Sequence, residues 1–191
     1  MDSRVKNPCS SYEPFKSLLA QRNRDSGLND QSFTLRLFRF EDINRVMSIN
    51  FECLPENYSS SFYREIYTKY PETFIVAEAD GEIQGYIMCR MERGFSKLKA
   101  LTPARTLHVV SIATREKYRR RGIAKALMLE AMKRGVSSYD ATECYLEVRI
   151  SNEPALVLYE QLQFSKVKRN YGYYMDGEDA WVMALLLPKK A

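Results

Sequence analysis

A chain of 191 residues, 45% hydrophobic and 28% charged, has the length and mix of one globular domain with a core to bury, which excludes collagen-like, low-complexity and wholly disordered chains. Its longest apolar stretches, such as residues 181–187, fall far short of the roughly 20 residues of a bilayer span, and MDSRVKNPCS lacks the apolar segment of a signal peptide. A cytoplasmic protein without membrane contact is expected, and the net charge of +5 leaves nucleic acid, an anionic cofactor and plain solubility all open.

Residues 1–32 are polar, carry Pro8, Pro14 and Gly27, and read as an appended extension with at most one short helix around residues 15–20. The alternation in FTLRLFRF predicts a strand over residues 33–40 that opens the folded domain, which runs to residue 188 and leaves 189–191 as a tail. Ile43, Val46, Met47 and Asn50 recur at helical spacing before Pro55 ends the run, and a second helix is expected over Ser60–Lys69. FIVAEA, an Asp80-Gly81 turn and EIQGYIMCRM give a hairpin signal. Residues 94–105 carry mixed charge and Pro103 and read as a loop, after which LHVVSIAT suits a central strand. IAKALMLEAMKRG reads as a helix stopped by Gly135 and ECYLEVRI as a strand. SNEPALVLYEQLQF reads as a helix capped by Ser151 or Asn152 with Pro154 in its first turn, and AWVMALLL closes the chain as a strand. The class is α+β with a mixed sheet.

Cys9, Cys53, Cys89 and Cys144 are scattered, and His108 is the one histidine, so no metal-ligand spacing exists and no metal is expected. The positive charge concentrates in Arg115, Lys117, Arg119, Arg120, Arg121 and Lys125, with Gly122 inside the run at a strand-to-helix junction. A helix start offers free N–H groups, and glycine lets an anion approach the backbone, so this turn is a candidate diphosphate cradle. The absence of a Gly-Lys-Ser/Thr end and of G-x-G-x-x-G argues against a P-loop and a dinucleotide fold.

The run Arg119-x-x-Gly122-x-Ala124 after a β-rich strand, followed by Asn152, Ala155, Leu158, Tyr159, Leu162 and Phe164, resembles the two signature segments of the GNAT acetyltransferase superfamily, and the resemblance spans residues 33–187. CLPENY (53–58), HVVSIA (108–113), YLEVR (145–149) and GYYMDGEDAW (172–181) resemble the branch that holds the catalytic subunit of N-terminal acetyltransferase A and its archaeal counterparts. The resemblance implies the acyl-CoA N-acyltransferase fold, a mixed, mostly antiparallel, twisted sheet flanked by about four helices. It implies acetyl-CoA as cosubstrate and protein N-termini or nascent peptides as acceptors. The archaeal members act alone, so a monomer is expected, and ribosome association would come in addition to catalysis.

Residue by residue, the resemblance implies that Val110, Ser111, Ile112 and Ala113 line acetyl-CoA, and that Arg119, Arg120, Arg121, Gly122, Ile123 and Ala124 hold its pyrophosphate. Asn152 and Tyr159 would sit near the thioester, with the Tyr159 hydroxyl giving a proton to the thiol. Glu56 and His108 would share deprotonation of the amine through water, aided by Glu147 and Tyr174. Leu54, Pro55, Glu56, Tyr58, His108, Tyr173 and Tyr174 would shape the slot for the first peptide residues. An α-amine, with a pKa of about 8 against about 10.4 for lysine, needs only modest base assistance. A lysine or small-amine acetyltransferase on the same platform is the alternative acceptor reading. A non-enzymatic ribosome- or RNA-binding module is the alternative from another class.

Overall fold

The computed structural model describes residues 33–189; the extension read at 1–32 and the last two residues of the tail lie outside the described residues. Strands β1 (Thr34–Leu37), β2 (Phe74–Ala79), β3 (Glu82–Phe95), β4 (Pro103–Thr114), β5 (Glu143–Arg149), β6 (Ser165–Asn170) and β7 (Ala180–Leu186) form one sheet in the order β1-β2-β3-β4-β5-β7-β6. Each neighbouring pair is antiparallel except β4 with β5. Four helices flank it among the described residues: α1 (Ile43–Cys53), α2 (Ser60–Lys69), α3 (Ile123–Tyr139) and α4 (Glu153–Gln161). The α+β class, the mixed sheet and the helix number agree with expectation.

Strand period explains why both faces are covered. On β2, Ile75 and Ala77 pack into the core beneath α3, while Phe74 and Val76 pack against Val46, Ile49, Tyr63 and Ile66 of α1 and α2. A strand buried on both faces loses its polar alternation, as FIVA shows. The opening strand is shorter than read: Phe38 leaves the ladder, buries itself stacked on Phe74 with ring centroids 3.9 Å apart, and the chain turns at Phe40–Asp42 into α1.

Two sequence readings need correction. Residues 94–105 are not a loop, because the β3–β4 ladder continues through Arg93↔Arg105, Gly94↔Ala104 and Phe95↔Pro103, leaving only 96–102 as the connection. The outer end of this hairpin is largely exposed, so mixed charge does not oppose it, and a proline is tolerated as the first residue of a strand. Gly135 does not stop α3 either. A Cβ there would lie 2.8 Å from Leu107 Cδ2, so this glycine lets the helix press onto β4, and α3 ends at Asp140 in the left-handed conformation.

The arrangement that positions the site is a fork. β4 and β5 pair only over Thr106–His108 and Glu143–Tyr145, although β4 continues to Thr114 and β5 to Arg149. The register with β3 shifts between Met88 and Cys89, whose partners are Ser111 and Val109, so Val110 is an extra residue that bends β4 where the strands part.

Candidate active site

Beyond His108 the β5-facing edge of β4 has no strand partner among the described residues, which leaves backbone groups of residues 109–113 facing the gap between the parted strands. The side chains there are committed elsewhere. Ser111 is buried with its hydroxyl 2.7 Å from the Tyr86 hydroxyl, and Ala113 is buried, so what either offers the open edge of β4 is its main chain. Ile112 packs on the α3-side core and Val110 on the α1/α2 side. The Val110 carbonyl accepts a hydrogen bond from the Tyr58 hydroxyl at 3.1 Å.

At the end of β4 the chain reaches the basic turn. Gly122 caps α3 with φ of +81°, and, its own chain neighbours aside, no atom of the described residues lies within 4 Å of where its Cβ would be. The first helical bond runs from Ala126 N–H to Gly122 O, which leaves the N–H groups of Ile123, Ala124 and Lys125 outside the helix ladder. The first turn holds no acid. Room at Gly122, free donors and a helix start suit a diphosphate, as acetyl-CoA requires. Of the arginines, Arg119 donates from Nε to Thr114 O at 3.2 Å and Arg121 lies 4.7 Å over the Tyr118 ring, while Arg120 holds a left-handed φ of 64° in the turn.

The titratable groups fall into two clusters. In the first, His108, 8% exposed, places Nε2 2.8 Å from Glu147 Oε2 and Nδ1 3.1 Å from Glu92 Oε1. Its ring stacks on Tyr145 at 4.3 Å and 13°, and the Tyr145 hydroxyl donates to Glu92 Oε2 at 2.6 Å. In the second, Arg149 on β5 donates to Glu56 Oε1 from Nη2 at 2.5 Å and from Nε at 3.1 Å, and to Asp176 and Glu178 at 2.7 Å each. Glu56 and His108, expected to share deprotonation through water, have different direct partners: Arg149 for Glu56, and Glu147 and Glu92 for His108.

The peptide-side residues surround the second cluster. Leu54 packs against the α1/α2 core, Pro55 is exposed, and the Glu56 carbonyl is held from behind by Asn50 Nδ2 at 3.1 Å. Tyr58 stacks on Phe62. Tyr173 and Tyr174 meet edge to face, and the Arg149 guanidinium sits 4.0 Å over the Tyr174 ring. Burial pushes the Tyr173 hydroxyl up to about 12 and that of Tyr174 higher still, with the charges of Glu56 and Glu147 acting on both. A raised hydroxyl pKa keeps both rings in the neutral form.

Asn152 caps α4, its side chain accepting from Ala155 N–H at 3.3 Å. Tyr159 is a core residue, 6% exposed, and burial pushes its hydroxyl well up; Cys144 and Cys89 beside it are buried thiols whose own values burial also raises. Those cysteines pair with Leu107 and Val109, the residues at the base of the fork. Two concavities elsewhere, about 280 Å³ beside Ser48, Glu82 and Arg115 and about 150 Å³ beside Arg36, Glu130 and Arg134, include none of these residues. Sequence reasoning missed Glu92, which adjoined the misread loop, and weighed Arg149 only as a salt-bridge partner on the face of Glu147, whereas its ion pairs here are with Glu56, Asp176 and Glu178. The acids of CLPENY and GYYMDGED need a cation, and that was the available signal for Arg149.

Residues 43–164 match the family model described as "Acetyltransferase (GNAT) family". An N-alpha-acetyltransferase of Saccharolobus solfataricus is 51% identical over 155 residues, covering 81% of this chain and 93% of that protein. The N-terminal acetyltransferase A complex catalytic subunit ard1 of Schizosaccharomyces pombe is 32% identical across 78% of this chain and 82% of its own length. The crystal structure of Chaetomium thermophilum Naa20 in complex with a bisubstrate analogue is similar with a TM-score of 0.71 at 29% identity, over 81% of this chain and 86% of that one. With the fork, the open glycine turn and the family match falling on the same stretch, this chain belongs to the GNAT acetyltransferase family.

Proposed function

We propose that this chain is a peptide α-N-acetyltransferase, which moves the acetyl group of acetyl-CoA directly onto the N-terminal α-amino group of proteins. The observation that carries the reading is the fork: a free β4 edge leads from the anion cradle at Gly122 to His108 and Glu147, with the Glu56–Arg149 pair and two tyrosines walling the cleft. Acetyl-CoA supplies an activated thioester. The helix start at Gly122–Ala124 and Arg119 to Arg121 hold the diphosphate, and main-chain groups of residues 110–113 pair with the pantetheine amides.

The amine nitrogen must lose one proton as its bond to the acetyl carbon forms and the carbon–sulfur bond breaks. His108 and Glu147, in contact at 2.8 Å, form the proton-accepting unit, directly or through a water. Glu56 neutralises Arg149 and positions the first residue. Tyr159, held protonated by burial, serves the departing sulfur as a hydrogen-bond donor more than as a net acid, since its hydroxyl is weaker than a thiol of pKa about 8.5. A ribosome contact and cytoplasmic residence belong to the same proposal, supported by the net charge of +5 and by acceptors that are protein N-termini.

The test is mass spectrometry of a peptide library incubated with the pure protein and acetyl-CoA. Acetyl groups confined to free N-termini support the reading, and acetyl groups spread over internal lysines overturn it.

A further inference from the structure

We propose that Glu92 on β3 is a positioning residue for acetyl transfer: it fixes one proton on Nδ1 of His108 and so reserves Nε2, the nitrogen facing Glu147, for exchange of the amine's proton. The proposal deepens the reading of His108 and Glu147 given above and rests on it.

A neutral imidazole carries one N–H, yet both nitrogens of His108 face a carboxylate, at 3.1 Å and 2.8 Å. The two hydrogen bonds can be made together only when the three groups hold one proton beyond a neutral ring and two carboxylates, and the two sides differ in which proton is fixed. Glu92 takes two donors besides His108. Arg90 Nε reaches its Oε1 at 2.7 Å and the Tyr145 hydroxyl its Oε2 at 2.6 Å, so a proton on Glu92 would compete with them for its lone pairs and weaken both hydrogen bonds. Glu147 takes no such donor; among the described residues its hydrogen-bond partner is His108. The anchored carboxylate thus belongs on Nδ1, and the mobile proton lies between Nε2 and Glu147.

The surrounding groups agree. Burial pushes the Glu92 carboxyl up, but hydrogen bonds from Tyr145 and Arg90 and the charge of His108 bring it below the ordinary glutamate range. The charged and titratable groups around the ring are Arg90 and Glu92 from β3 and Tyr145 and Glu147 from β5. Lys97 of the β3–β4 connection lies over the far ring, 4.5 Å from Tyr145. The stack on Tyr145 holds the imidazole plane, and a flip of the ring about Cβ–Cγ, which would put carbons where the nitrogens stand, would break both hydrogen bonds at once. Second partners of this kind fix a histidine's tautomer, and a wrong tautomer is costly in catalysis.

The chain has one histidine, so its ring nitrogens are read without ambiguity in protein labelled with 15N-histidine. At alkaline pH, where the ring holds one proton, that proton is expected on Nδ1. In Glu92→Gln, whose amide can turn its NH2 group to Nδ1, it is expected to move to Nε2. The variant should also lose about tenfold or more in kcat with KM for peptide and acetyl-CoA within about twofold, and Glu92→Asp should recover part of the loss. A wild-type neutral ring protonated on Nε2 overturns the proposal whether or not the variants fold. So does a folded Glu92→Gln protein with Nδ1 still protonated and kcat unchanged, which would leave Glu92 a plain partner of Arg90. The tautomer is read without substrate, so failure of the α-amine reading shows separately, as acetylation of the wrong group.

Discussion

Arg149 spends two of its nitrogens on a single oxygen of Glu56, tying strand β5 to the α1–α2 connection. The same guanidinium holds Asp176 and Glu178 from the β6–β7 connection, so one cation draws two walls of the cleft together. Arg149→Ala would leave three acids facing each other. With the carboxylates partly exposed, the cost is roughly 1–2 kcal/mol of stability, well below that of breaking a fully buried pair. Peptide kcat/KM should fall about tenfold or more while acetyl-CoA affinity holds. Arg149→Lys should not restore it, because a point charge cannot bridge three partners in a planar fork. Thermal melts and steady-state kinetics on the two variants check this.

Gly122 separates cofactor binding from the proton chemistry. In Gly122→Val a branched side chain must adopt φ near +81° and projects into open space, so the protein meets no clash and the strain is about 1–2 kcal/mol. That space is where the diphosphate must approach. Acetyl-CoA affinity by calorimetry should drop more than about tenfold, equivalent to about 1.4 kcal/mol, in a protein that still folds.

The two clusters predict a pattern of coupling. His108→Ala and Glu147→Gln remove members of one hydrogen-bonded pair, so their losses in kcat should be far from additive. Glu56→Gln acts in the Arg149 cluster, and its loss should add to that of His108→Ala. Raising the pH to about 9 delivers more amine already neutral, since an α-amine titrates near 8, and should rescue the His108 and Glu147 variants more than the Glu56 variant. Double-mutant cycles at two pH values read both effects.

Much of this was legible because the relevant signals are local. The hairpin at Asp80-Gly81, the helix over Ser60–Lys69 and the Asn152 cap each follow from spacing and turn chemistry within a few residues. What was not legible depends on partners distant in the chain. Gly135 reads as a stop by itself, and only the 2.8 Å approach of Leu107 shows why a helix interior keeps it. That Glu56 and His108 have different direct partners is likewise a sheet effect. β4 and β5 bring His108 beside Glu147, and the turn after β6 brings Asp176 and Glu178 to Arg149, pairings that no sequence window contains.

Acid stability should report the pair that anchors the start of the domain. Arg36 grips Asp42 through two nitrogens, at 2.6 Å and 2.9 Å, and Glu78 at 2.6 Å. Burial pushes the Asp42 carboxyl up, but the Arg36 hydrogen bonds and the Arg39 N–H carry it below its ordinary value of 3.8. A depressed carboxyl contributes its stability above the unfolded value and loses it as pH falls through the folded one. Asp42→Asn should therefore cost roughly 1–3 kcal/mol at pH 7, and its deficit should shrink as the wild type is acidified below pH 4. Chemical denaturation at stepped pH measures the difference.

The acceptor is an α-amine, and a matched peptide pair tests this most directly. One peptide carries a blocked N-terminus with a free lysine; the other carries a free N-terminus with that lysine blocked. With the pure protein and acetyl-CoA near pH 7.5, the second should be acetylated with kcat/KM at least about a hundredfold higher, since at that pH its amine is neutral far more often than a lysine of pKa about 10.4 and the tyrosine walls admit a chain end. Equal rates on the two peptides, or faster acetylation of the free lysine, would contradict it.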